Sequence, residues 1–370
     1  MKIAILGTRG IPNYHGGFEQ FAEYFSIYLA NNGHEVFVYN SSKHPYQEEN
    51  FQGVNILHCY DPEDRIGTVG QFIYDLNCIL DSRKRKYDII LQLGYTSNSI
   101  WHWLLPKNSK IVTNMDGLEW KRSKYSKLVQ FFLVYAEGLA IKSSDFLVAD
   151  SIGIKEYIKL KYNKESKYIA YGANVFSTPN KNVLKKYDLN VNEYDMLIAR
   201  LEPENNIEVI LDGVNKSTIK RPFLVIGKYD VNKFGAYLKK KYKDNSDIKF
   251  IGGIYDIEEL NNLRYFSNLY FHGHSVGGTN PSLLEGMASN SLIIANNNIF
   301  NKSILKEDAY YFETSEDVSQ YIDSLKKEKN YNILKQNINK IENKFSWDLI
   351  NKEYLNLILE INRGNLKFLY

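Results

Sequence analysis

The chain lacks the marks of several common classes. Its 370 residues include only two cysteines, Cys59 and Cys78. Neither sits in a Cys-x-x-Cys pair or beside a histidine cluster, so no metal-binding pattern is present and no metal is expected. Two cysteines in a chain this long fit a reducing compartment. No apolar run approaches the roughly 20 residues that cross a bilayer. The opening MKIAILG turns polar at Thr8-Arg9-Gly10, too early for the apolar stretch of a secretory signal. Net charge is +3, too small to argue for nucleic acid as a partner. The expectation is a cytoplasmic protein, at most peripheral to the inner face of the cell membrane. A dinucleotide fingerprint is also absent: Gly7 and Gly10 lack the G-x-G-x-x-G spacing and the loop is too long, which disfavours a nicotinamide oxidoreductase.

What is present is a globular composition. Hydrophobic residues make up 44% and charged residues 24%, enough for a sizeable core. Short β-like runs alternate with helical patterns. Lys2–Gly7 reads as a buried strand, and Phe18, Phe21, Ala22, Phe25, Tyr28 and Leu29 fall on one helix face. Glu35–Tyr39, Val54–Leu57, Asp88–Leu93, Lys110–Asn114 and Asp145–Ala149 continue the strands. The pattern pauses at Tyr171–Asn174, where Ser177-Thr178-Pro179-Asn180 is turn chemistry. It restarts with strands at Tyr194–Ala199, Phe223–Gly227, Ile248–Ile251, Leu269–His272 and Leu292–Ala295. From about Ser315 only helices are expected. This alternation predicts α/β architecture: two doubly wound Rossmann-like domains facing a cleft. The boundaries are 1–175 and 176–346, with a terminal helix, Trp347–Asn362 within 347–370, crossing back to the first domain.

In such sheets ligands bind beyond the carboxyl ends of the strands. The first such loop, G7-T-R-G-I-P-N-Y-H-G-G-F-E19, is longer than the usual connection, and long loops are more often functional. Gly16 and Gly17 let backbone approach a ligand and leave helix N–H groups open to an anion. Next, N114-M-D-G-L-E-W-K-R122 follows a strand, which makes Asp116 a candidate over a bland reading as a charged rim loop. In A199-R-L-E-P-E-N-N206, Arg200 sits at a strand tip, where a guanidinium can hold a diphosphate by paired hydrogen bonds.

The most informative stretch is H272-G-H-S-V-G-G-T-N-P-S-L-L-E285. Gly277 and Gly278 can turn sharply with positive φ. Asn280 is a good N-cap and Pro281 a good first helical residue. The amides of Gly278, Thr279 and the helix start are expected to be open to an anion. Glu285 suits vicinal hydroxyls such as those of a ribose; the alternative is a solvated first-turn glutamate favoured by the helix dipole. The run Arg83-Lys84-Arg85-Lys86 reads either as a solvated helix end or as a patch for anionic lipid. Trp101–Leu105 reads as helix core or as a second membrane contact.

Together, GTRGIP…GGFE, DGLEWKR, ARLEPENN and HGHSVGGTNPSLLE resemble bacterial glycosyltransferases of the GT-B type. More narrowly they resemble the retaining, rhamnosyltransferase-like enzymes of capsule and O-antigen polysaccharide assembly. The resemblance implies a nucleoside-diphosphate sugar held by the second domain, with dTDP-L-rhamnose the favoured donor. It implies a saccharide acceptor, on a polyprenyl diphosphate, held by the first. No cofactor or metal is implied. Arg200 and the amides of Gly277, Gly278, Thr279 and Asn280 would hold the diphosphate, with Lys228 assisting and Glu285 on the ribose. The Gly16-Gly17 loop would close over the donor phosphate. His15 and Glu119 would serve the acceptor, and Asp116 would be catalytic. Three family positions differ. Gly277 stands where the first carboxylate of a Glu-x7-Glu element falls, Asn205 and Asn206 stand where a lysine is usual, and Met115 replaces a histidine. Front-face attack, in which the leaving phosphate helps deprotonate the acceptor, is the mechanism the resemblance favours. Two other readings stay open: a nucleotide-sugar epimerase of the same architecture, and a non-catalytic nucleotide-sugar-binding protein.

Overall fold

Runs of β-branched and aromatic residues too short for helices form strands; the amphipathic stretches between them cover the sheet faces. The computed structural model describes residues 1–115, 117–122 and 124–364. The chain divides into two compact units, one of Met1–Lys121, Tyr125–Tyr171 and Trp347–Tyr370, the other of Arg122–Lys124 and Gly172–Ser346.

The first unit contains β1 (Lys2–Leu6), β2 (Glu35–Ser41), β3 (Asn50–Phe51), β4 (Val54–Cys59), β5 (Ile89–Leu93), β6 (Lys110–Asn114), β7 (Phe146–Ala149) and β8 (Lys167–Tyr168). They form one sheet in the order β3-β4-β2-β1-β5-β6-β7-β8. All pairings are parallel except that of β3 with β4. Strands buried on both faces explain the unbroken apolar runs, as in Phe146–Ala149, all buried. The terminal helix Trp347–Asn362 belongs to this unit and packs on the helix Gly17–Asn31. Aromatic rings make the joint. Tyr24 stacks on Trp347 with centroids 4.6 Å apart, and Phe21 lies 4.6 Å from Tyr354. Asn114 donates to the Tyr354 hydroxyl at 3.1 Å, tying the end of β6 to the same helix.

The second unit contains β9 (Asp195–Ile198), β10 (Phe223–Ile226), β11 (Ile248–Gly252), β12 (Leu269–His272), β13 (Ile293–Asn296) and β14 (Tyr310–Phe312). Their order is β11-β10-β9-β12-β13-β14, parallel throughout. Leu197, Phe223, Val225, Leu269, Phe271 and Ile294 lie in the core against Ile210, Leu211 and Val318 from the covering helices.

The α/β class and the paired parallel sheets match the sequence expectation. Three short strands were not foreseen: β3, β8 and β14. Each is an edge strand of two or three residues, too short to show a period.

Candidate active site

Both sheets reverse their winding direction. In the second unit the first strand, β9, has β10 and β11 on one side and β12, β13 and β14 on the other. Loops leaving β9 and β12 therefore part in opposite directions, and the gap beyond their carboxyl ends is where ligands of doubly wound sheets bind. The pairing Leu197↔Phe271 puts Arg200 and His274 just past the ends of these neighbours. The pairing Ile226↔Ile198 brings Lys228 past the end of β10 beside them. Arg200 and Lys228 are exposed. Their side chains have no hydrogen-bond or ion-pair partner among the described residues; the Lys228 ammonium lies 5.3 Å over the Tyr255 ring.

The β9 loop is fixed by its asparagines. Asn205 donates to the Arg200 carbonyl at 2.7 Å. Asn206, in the left-handed region at φ 51°, donates to the Gly273 carbonyl at 2.8 Å. These residues shape the loop and tie it to the loop after β12. Ser275 completes the joint by donating to the Glu204 carbonyl from both amide and hydroxyl. Gly273 is required there, because a Cβ would lie 2.0 Å from the Asn205 carbonyl oxygen.

Either side of Gly273, the His272 and His274 rings stack with centroids 4.4 Å apart. Both ring nitrogens of His272 and the Nδ1 of His274 are buried without a hydrogen-bond partner. Burial holds both imidazoles neutral. His272 sits well below the usual histidine range, and His274 is pushed down to about 3 by burial and by the nearby Arg200 and Arg122 guanidiniums. A histidine depressed in the folded state binds its proton only on unfolding, so stability is present above the ordinary value of 6.5 and is lost as pH falls below it. From pH 7 to 5 the buried His272 is expected to cost about 2 kcal/mol of stability. Urea unfolding of wild type and His272→Leu at the two pH values measures this as the difference between the two proteins in the stability lost from pH 7 to 5. Equal losses would show that His272 does not titrate on unfolding.

The loop then turns at Gly277, whose φ of 134° suits glycine. Gly278 is not in the left-handed region, contrary to the expectation that both glycines use positive φ. The helix Pro281–Ala288 follows, with Asn280 as N-cap accepting from the Ser282 amide at 2.9 Å. Its own first-turn donors are mostly closed. Pro281 has none, Ser282 is capped, and Leu283 and Leu284 donate to the Asn280 carbonyl. The expected anion-facing helix amides are thus corrected to the loop before the helix. Gly277 and Gly278 make no backbone hydrogen bond from their amides among the described residues. Thr279 is buried and Asn280 half-buried.

Glu285 is not a solvated glutamate. Its Oε2 accepts from Arg264 at 2.6 Å. Arg264 is 1% exposed and also donates to Asn261 at 2.9 Å and to the Ser282 hydroxyl at 3.2 Å. Sequence reasoning missed this arginine. The available signal was a charge on the core face of the helix Ile257–Phe266, one residue after Leu263 and four after Leu260, both buried. Glu204 was also passed over; it is buried, with Arg122 at 3.9 Å.

In the first unit the winding reverses between β1 and β5, so the loop after β1 occupies the corresponding position. Asn13 accepts from the amides of His15 and Gly16 at 3.0 and 3.1 Å. Gly16 is the N-cap of the helix Gly17–Asn31, which has no side-chain cap. Glu19 is buried and accepts from the Arg9 amide at 3.0 Å, holding the loop down. His15 is exposed, its ring 6.3 Å from that of His44. Glu119 opens a short helical turn, Glu119–Lys121, after β6. Asp116 lies outside the described residues. Among the described residues no group of histidine, cysteine or carboxylate side chains could hold a metal ion.

The whole chain superposes on solved glycosyltransferase structures. One from Rickettsia africae aligns at TM-score 0.72 with 17% identity, over 99% of this chain and 100% of that one. Sucrose-phosphate synthase from Thermosynechococcus elongatus aligns at 0.79 with 14% identity, over 98% and 99%. HepE from Anabaena, in complex with UDP and glucose, aligns at 0.74 with 14% identity, over 97% and 100%. The fold is GT-B. Residues 1–174 match the family model of a domain of unknown function, DUF1972. No curated protein matches the chain in sequence. In GT-B terms, each unit is one of the two Rossmann-like domains, and Arg200, Lys228 and the His272–Glu285 segment lie at the winding reversal of the second.

Proposed function

We propose that this chain is a glycosyltransferase that moves a sugar from a nucleoside diphosphate to a saccharide acceptor. One observation carries the reading. Three neighbouring strand ends carry Lys228, Arg200 and His274, the loop after the third holds the Gly277 and Gly278 amides, and the Arg200 and Lys228 side chains have no ion-pair partner among the described residues. That set suits a diphosphate. HepE, of the same fold, is solved with UDP and with UDP-glucose, which supports a nucleoside-diphosphate sugar as the ligand class. Glu285, oriented by Arg264, would accept from ribose hydroxyls.

In the proposed reaction the bond from the sugar's anomeric carbon to the β-phosphate oxygen breaks. The acceptor oxygen bonds to that carbon on the same face, with retention, and its proton passes to the leaving phosphate. Arg200 and the loop amides stabilise the charge that develops on the diphosphate. The favoured donor is dTDP-L-rhamnose and the favoured acceptor a lipid-linked saccharide of surface polysaccharide assembly. A neutral imidazole at His274 and glycine at 277 fit a deoxysugar, which offers fewer hydroxyls to a carboxylate. The acceptor is assigned to the first unit, with His15 and Glu119 as contacts. An epimerase is disfavoured, because His274, held near 3, is a poor base at neutral pH.

A thermal-shift panel of nucleotide sugars, followed by incubation of the stabilising donor with a lipid-linked acceptor, tests the reading. The expected result is a raised Tm with one donor and a new glycosidic product. A free epimer, or binding with no product under any acceptor, would overturn it.

A further inference from the structure

The first unit carries an exposed apolar face that no motif explains. The helix Lys127–Ser143 turns Leu128, Phe131 and Tyr135 outward at 84%, 77% and 59% exposure. Their spacing of three and seven residues puts them on one stripe. The neighbouring helical turn Ser99–Leu104 adds Trp103, 61% exposed. The two elements are held together through the helix Val69–Ser82: the Phe72 carbonyl accepts from the Trp101 indole at 2.8 Å, and the Phe72 ring lies 5.7 Å from Phe132. A soluble surface rarely leaves so many large apolar side chains together without a partner.

Three cations adjoin this face in sequence or by contact. Lys127 and Lys107 are exposed, and Arg83 donates to the Leu104 carbonyl at 2.8 Å, beside Trp103. The acid of the helix itself, Glu137, is buried and taken up by Tyr157, Tyr162 and Lys161. Asp81 is paired with Arg85 at 2.5 Å. A tryptophan and a tyrosine beside a leucine and a phenylalanine, with cations adjoining, is the chemistry of a membrane–water interface. A second copy of the chain fits less well, because a two-fold contact through this face would bring two sets of the same cations together.

We propose that this face, formed by Trp103, Leu128, Phe131 and Tyr135 with Arg83, Lys107 and Lys127 at its rim, docks on an anionic lipid bilayer. The helix lies in the interface plane with its apolar stripe among the headgroups, and the cations meet lipid phosphates. The lipid-contact alternative for the basic run and Trp101–Leu105 is thereby narrowed to Arg83 and Trp103 and extended to the helix Lys127–Ser143. The proposal rests on the surface alone; it gives the lipid-linked acceptor reading a place to meet its substrate without depending on it.

The test is flotation of the full chain with vesicles of phosphatidylcholine, with or without phosphatidylglycerol, at low and high salt. Wild type is expected to float with the anionic vesicles and to be released by salt. The double variant Leu128→Ser/Phe131→Ser is expected to bind about tenfold more weakly or worse. Its thermal shift with a nucleoside diphosphate, read in parallel, is expected to match wild type, which separates lipid docking from donor binding. Wild type remaining in the dense fraction with anionic vesicles would overturn the proposal. So would a double variant that floats like wild type, or a wild-type dimer in solution that the double variant dissolves.

Discussion

Arg200→Ala is expected to lower kcat/KM for sugar transfer by about 30- to 1,000-fold, the loss of about 2–4 kcal/mol that follows removal of one donor to a developing oxyanion. Arg200 is exposed and its guanidinium holds no other side chain among the described residues, so the Tm of the apo protein is expected to stay within a degree or so of wild type. Activity should fall while folding does not. Arg200→Lys keeps the charge but loses the paired geometry and is expected to recover part of the rate. Steady-state kinetics with saturating acceptor check the two rates, and thermal unfolding checks the Tm. An alanine variant that turns over donor at the wild-type rate would remove Arg200 from the site.

The second large effect lies beneath the helix that carries Glu285. Arg264→Ala removes a guanidinium that is 1% exposed and leaves Glu285, Asn261 and Ser282 without their shared donor. Breaking one side of a buried ion pair costs about 3–5 kcal/mol, a fall in Tm of roughly 10 °C for a unit of this size. Glu285→Gln is expected to behave differently. The amide oxygen still accepts from Arg264, so stability falls far less, while affinity for a nucleoside diphosphate falls through the weakened ribose contact. Chemical unfolding and calorimetric titration of both variants separate the roles. If Glu285→Gln lost as much stability as Arg264→Ala and bound nucleotide like wild type, Glu285 would be structural only.

Much of this arrangement was legible in the residues. Leu269–His272, Lys110–Asn114 and Trp347–Asn362 were read with the bounds they have in the structure, because each is either a mostly buried run or a long amphipathic period with a clear start. Arg200, Lys228 and Gly277 could be assigned to loops for the same reason, since a residue just past a strand of a parallel sheet has one place to go. Other features depend on partners distant in sequence. Asn206 could not be tied to Gly273, nor Glu285 to Arg264, from local pattern. The donors of the helix Pro281–Ala288 were overcounted because Asn280, read correctly as a cap, also closes the first turn with its carbonyl. The edge strands β3, β8 and β14 have too few residues to declare a period, and pairing with a neighbour defines them. The apolar stripe on the helix Lys127–Ser143 was hidden because its two faces are both hydrophobic, and only solvent exposure distinguishes them.

A crystal structure of the chain with UDP or dTDP bound would test the central claim most directly. The expected result is a diphosphate within hydrogen-bond distance of the Arg200 guanidinium and the Gly277 and Gly278 amides, with ribose hydroxyls on Glu285. A nucleotide lodged elsewhere, with Arg200 and the Gly277–Gly278 loop untouched, would contradict it.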